Sequence, residues 1–76
     1  MAGKAYVLIE AQVGKTKEVV EAIRRLKGVA SVDVVTGPYD AIAVIQAASP
    51  NEIGDLIVAK VHHIAGISRT VTCLVL

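Results

Sequence analysis

The side chains able to do chemistry gather in two short stretches. Tyr39 and Asp40 follow Gly37 and Pro38 in the segment TGPYD, and Ser68, Thr70 and Thr72 alternate near the C-terminus. The Asp40 carboxylate offers a partner for an ammonium group. The Thr70 and Thr72 hydroxyls, with backbone N–H groups, offer partners for a carboxylate. Gly37 has no side chain and tolerates unusual backbone angles, so main chain can approach a ligand closely there. Such a set suits a small zwitterion. Gly, Pro and Asp are equally ordinary turn residues and Thr an ordinary strand residue, so a plain hairpin explains the same letters.

Other candidates fail on spacing or surroundings. Gly14-Lys15-Thr16 lacks the earlier glycine of a phosphate-binding loop, since the required position is Ile9. His62 and His63 are adjacent, and neighbours on a helix point about 100° apart, a poor geometry for chelating one ion. No metal site and no cofactor is expected. Cys73 lies among aliphatic residues with no basic neighbour to make a thiolate, and reactive cysteines need an electropositive setting. No set of nucleophile, base and orienting acid emerges, and no catalytic residue is assigned.

The elements that must position these residues follow from periodicity. Lys4–Val13 is rich in β-branched and aliphatic residues and reads as a strand. Thr16–Lys27 reads as a helix: Val19, Val20, Ile23 and Leu26 share one face and charges cover the other. Gly28 supplies its stop. Val29–Thr36 and Ala41–Ala47 form two strands around TGPYD. Ser49-Pro50-Asn51-Glu52 is a capping box with proline at the first helical position, and Ile53, Leu56, Ile57, Val61 and Ile64 continue at helical spacing as far as Gly66. Ser68–Leu76 is the last strand. The order β-α-β-β-α-β predicts an α+β, ferredoxin-like fold, its antiparallel sheet ordered 4-1-3-2, as a single domain over residues 1–76. That topology brings TGPYD, Glu10 and the Ser68–Thr72 segment to one edge of the sheet.

Strand alternation assigns Ala5, Val7, Ile9, Ala11, Val32, Val34, Ala41, Ala43, Ile45, Val71, Cys73 and Val75 to the layer beneath the helices. The opposite face receives Tyr6, Leu8, Glu10, Asp33, Val35, Ile42, Val44, Gln46, Thr70, Thr72, Leu74 and Leu76. Both helices pack on one side, so nothing within the chain covers this second face. Of the 76 residues, 54% are hydrophobic, and a domain this small buries only about 60% of its unfolded surface. A contiguous exposed apolar patch marks an interaction surface. A two-fold, sheet-to-sheet homodimer through Tyr6, Leu8, Ile42, Val44 and Leu74 is therefore expected, giving a dimeric α/β barrel.

Eight basic residues nearly balance seven acidic ones, and the only aromatics are two tyrosines. This argues against direct nucleic-acid binding, which uses basic patches and stacking platforms. One cysteine excludes a disulfide framework and fits a reducing, cytoplasmic location. The N-terminus lacks a signal-peptide pattern, and no apolar run reaches the ~20 residues that span a bilayer.

AYVLIEA on the first strand, Gly28-Val29, Gly37-x-Tyr39-Asp40, and Ile64-x-Gly66-Ile67-x-x-Thr70-x-Thr72 running into Leu74-Val75-Leu76 occur in a specific order. In this the chain resembles the effector-binding (RAM) domain of the Lrp/AsnC, or feast/famine, transcription regulators. The resemblance implies face-to-face dimers assembled into rings, often octamers. It also implies an amino-acid effector held at inter-dimer contacts, in loops corresponding to Gly37–Asp40 and Gly66–Thr72, with Tyr39 packing across subunits. Ser68 joins the expected set as part of the second loop. The helix-turn-helix of those regulators has no counterpart in this sequence, so stand-alone RAM proteins are the nearer likeness and DNA binding is not expected. Pro38 stands where full-length regulators often carry a polar residue, and it removes a backbone donor.

Three functions are weighed. The first is a non-catalytic, amino-acid-binding regulatory module that modulates full-length Lrp/AsnC-type regulators. The second is a ligand-free subunit that co-assembles with such a regulator. The third is a small dimeric α/β-barrel enzyme, disfavoured because the layer beneath the helices reads as aliphatic only.

Overall fold

A computed structural model describes residues 3–76. The reading of the extreme N-terminus rests partly on Met1 and Ala2, which lie outside the described residues. The elements are β1 (Gly3–Ala11), α1 (Thr16–Arg24), β2 (Val29–Val34), β3 (Ala41–Ala47), α2 (Pro50–Ala59) and β4 (Ile67–Leu74). A short 3-10 turn, Val61–His63, links α2 to β4. The four strands form one antiparallel sheet in the order β2-β3-β1-β4. This is the expected ferredoxin-like βαββαβ arrangement.

The core lies between the helices and one sheet face. Ala5, Val7, Ile9, Ala41, Ala43 and Ile45 meet Val19, Val20 and Ile23 from α1 and Ile53 and Ile57 from α2, all of them buried. The alanines keep the central strands thin there, so both helices can lie close to the sheet. Each buried Ile or Val contributes about 1.5–3 kcal/mol. The α2 N-terminus carries the first half of the predicted box, and the Glu52 side chain reaches one residue beyond the N-cap. Ser49 Oγ accepts from the Glu52 amide at 3.4 Å, and Glu52 Oε2 accepts from the Ala48 amide at 2.9 Å.

Three expectations need correction. The second helix does not run to Gly66: regular helix ends at Ala59, where Lys60 takes φ −122°, and the tighter 3-10 turn then directs Val61 into the core. The first helix stops at Arg24, and the chain reaches Gly28 through turns. The third correction concerns β4, whose faces are inverted relative to the sequence reading. Cross-strand partners share a face. Leu74 is opposite Ala5, Thr72 opposite Val7 and Thr70 opposite Ile9, whereas Cys73 is opposite Tyr6 and Val71 opposite Leu8. Thr70, Thr72 and Leu74 therefore lie on the helix side, and Leu74 leaves the expected dimer face. Val71 and Cys73 replace it on the open side.

The open face thereby gains order. Two rows cross the sheet, Val44–Tyr6–Cys73 and Ile42–Leu8–Val71. Tyr6 stays 40% exposed although it sits on a central strand, because no helix reaches this side.

Candidate functional site

The edge where the predicted residues converge is built around the end of β1. Pairing of β1 with β3 ends at Ile9 opposite Ala41, so the Ala11 amide has no ladder partner on that side. On the other side Glu10 is opposite Arg69 and Ala11 opposite Ile67, so Ser68 is the extra residue of a β-bulge. Asp40 closes the gap. Its Oδ2 accepts from the Ala11 amide at 2.8 Å, its own amide donates to the Ile9 carbonyl at 2.8 Å, and its carbonyl accepts from the Val35 amide at 3.0 Å. Next to this, the Gln12 amide donates to the Gly66 carbonyl at 2.7 Å.

Gly66 has to be glycine on two counts. Its φ is +97°, and a Cβ would stand 3.0 Å from Lys15 Cβ and from Val19 Cγ2. Gly37 also has a positive φ, +115°, but nothing lies within 4 Å of where its Cβ would be. Its conformation serves the turn.

Tyr39 is half-buried beside Asp40, and its hydroxyl accepts from Arg69 Nη2 at 3.4 Å. The contact spans the end of β1, from the hairpin on one side to β4 on the other. Gly37, Pro38, Tyr39, Asp40 and Ser68 thus lie around one edge, as the topology required. Thr70 and Thr72 do not join them there. Thr70 turns to the helix side, where its hydroxyl lies 3.5 Å from His62 Nε2. Thr72 lines an apolar groove of about 280 Å³ together with Pro50, Ile53, Gly54, Ile57, Val58 and Leu74. Hence the layer beneath the helices is not aliphatic alone, although no buried polar or charged side chain occurs among the described residues.

Arg69 is the residue sequence reasoning passed over. The segment containing it was placed at this edge, but only the strand register shows that it faces Glu10 and reaches Tyr39. Cys73 is exposed on the open face, and the two histidines end the 3-10 turn.

A βαββαβ sheet with both helices on one side and a polar edge at the β2–β3 hairpin is a ferredoxin-like fold. Residues 4–76 match the family model of the Lrp/AsnC ligand binding domain, and the chain belongs to that family. An uncharacterized HTH-type transcriptional regulator of Pyrococcus furiosus is 38% identical over 56 residues, covering 74% of this chain and 37% of that protein. The chain therefore spans little more than a third of the length of that curated relative. A crystal structure of a Thermus thermophilus protein superposes with a TM-score of 0.92 at 34% identity, covering 97% of this chain and 92% of that one. A Neisseria meningitidis transcriptional regulator, solved as a complex with L-methionine, has the same fold at 16% identity and a TM-score of 0.85, covering 97% of this chain and 49% of that one. No helix among the described residues is long and apolar enough to cross a membrane.

Proposed function

We propose that this chain is a non-catalytic regulatory module that binds an amino acid at the Gly37–Asp40 and Gly66–Arg69 edge. It works as a homodimer joined through the open sheet face and assembled into a ring, and it modulates Lrp/AsnC-type transcription regulators. The match to the Lrp/AsnC ligand-binding domain over residues 4–76 carries this reading. The L-methionine complex of the Neisseria relative supports an amino acid as the effector class. The rows Val44–Tyr6–Cys73 and Ile42–Leu8–Val71 support the dimer, since they leave an apolar surface that no helix covers, with Lys4 Nζ 5.3 Å from the Tyr6 ring centre at its side. The test is a calorimetric screen of the twenty amino acids combined with light scattering. Binding of at least one amino acid by an oligomer is expected. No binding at all sinks the effector role, and a monomeric mass sinks the assembly.

One observation favours a second reading. Oδ2 of Asp40, the expected ammonium partner, already accepts from the Ala11 amide, which leaves Oδ1 alone for a ligand. A ligand-free subunit that co-assembles with a full-length regulator needs no such partner. Capture of that regulator by a protein that binds none of the twenty amino acids is the result this reading requires.

A further inference from the structure

We propose that Arg69 takes the α-carboxylate of the effector, that the Tyr39 hydroxyl holds the guanidinium in place, and that Glu10 faces the ammonium. The site then selects free amino acids over their amides. This deepens the amino-acid reading above and rests on it.

Three observations lead there. First, Asp40 is partly committed: its Oδ2 holds the Ala11 amide at 2.8 Å, which ties the carboxylate's orientation to the fold and leaves Oδ1 alone to meet a ligand. Second, Arg69 is not spent. It is exposed, and its side-chain hydrogen bond among the described residues goes to a neutral phenol at 3.4 Å. The one ion pair among the described residues lies elsewhere, Lys15 Nζ to Glu18 Oε2 at 3.7 Å. Third, Glu10 stands directly opposite Arg69 in the register of β1 and β4, yet the two are not joined within ion-pair distance. A free guanidinium and a free carboxylate on neighbouring strands are complementary in sign to the two ends of an α-amino acid.

Arginine suits the role assigned to it. Its planar fork donates two parallel N–H groups to one carboxylate, and such charge-assisted pairs are about twice as strong as neutral ones. The Tyr39 contact, long at 3.4 Å and exposed, biases the guanidinium toward the hairpin edge, and a side chain so biased loses less freedom when the ligand arrives. Tyr39 is accordingly a positioning residue, and Arg69 and Glu10 are the ones that would touch ligand.

The experiment is calorimetric titration of the full chain with the twenty amino acids, then with the carboxamide of the tightest one. It is repeated on Arg69→Gln, Glu10→Gln and Tyr39→Phe. Wild type is expected to bind the acid roughly tenfold to a hundredfold more tightly than the amide. Arg69→Gln is expected to bind both at the amide's level. Glu10→Gln is expected to weaken acid and amide alike, and Tyr39→Phe to weaken the acid and narrow its preference over the amide without abolishing it. Equal affinity of wild type for acid and amide overturns the assignment without any variant. An acid preference that survives in Arg69→Gln overturns it while leaving the amino-acid site intact. Failure of wild type to bind any amino acid overturns both.

Discussion

Replacing Asp40 with alanine isolates what this carboxylate does for the fold. The substitution removes the acceptor 2.8 Å from the Ala11 amide, in half-buried surroundings, and leaves the two backbone bonds of residue 40 in place. A hydrogen bond to a charged group is worth about 1.5–3 kcal/mol. Water reaches a half-buried amide and recovers part of that, so the expected loss is about 1.5–2 kcal/mol. Asparagine keeps an oxygen in the same place without the charge and should lose about 0.5–1 kcal/mol. For a domain of this size each kcal/mol lowers Tm by roughly 4–8 °C. Urea unfolding at one fixed protein concentration measures both variants, since oligomerisation makes stability concentration-dependent. Amide exchange at Ala11 reports the bond itself. Asp40→Ala within about 0.5 kcal/mol of wild type, the ordinary scatter of surface substitutions, with Ala11 exchange unchanged, refutes the reasoning. The pair also guides ligand titrations: binding lost in Asp40→Ala but kept in Asp40→Asn marks Asp40 as scaffold rather than contact.

Further outcomes test the faces and turns. Val44→Asp puts a charge in the middle of the open face and should lower the light-scattering mass with the circular dichroism unchanged; an unchanged mass rejects the sheet-to-sheet interface. Leu74→Ala should leave the mass alone and cost about 1–2 kcal/mol in urea, less than a fully buried leucine because Leu74 is 45% exposed. Gly66→Ala combines a positive φ with two contacts at 3.0 Å, and should destabilise by about 2–3 kcal/mol. Ser49→Ala removes a long, exposed cap bond of 3.4 Å and should cost about 0.5–1 kcal/mol.

The element order and sheet topology were legible because their signals are local. Gly28 and Pro50 punctuate the chain, and the apolar spacing of Val19, Val20 and Ile23 is unmistakably helical. The faces of β4 were not legible. In Thr70-Val71-Thr72-Cys73 the more apolar set looked like core, but β4 is an edge strand beside a face that is itself apolar. Alternation gives two faces without saying which is inside, and one bulge residue, Ser68, sets the phase. The site was legible to a similar depth. Residue types announced Tyr39 and Asp40, and topology put the β4 segment beside them. The bond that occupies Asp40 and the reach of Arg69 depend on three-dimensional register, which composition does not encode.

β1 joins the hairpin edge to the open face. Its Ala11 amide is tied to the hairpin, its Glu10 is opposite Arg69, and its Leu8 and Tyr6 form the middle of the open face. With hydrogen-bonded neighbours on both sides, β1 cannot slide by one residue without turning every side chain to the wrong face. A displacement of its Glu10–Ala11 end would therefore be carried to Tyr6 and Lys4 at the other end with the pairing intact, the strand register acting as a gear that forbids slip.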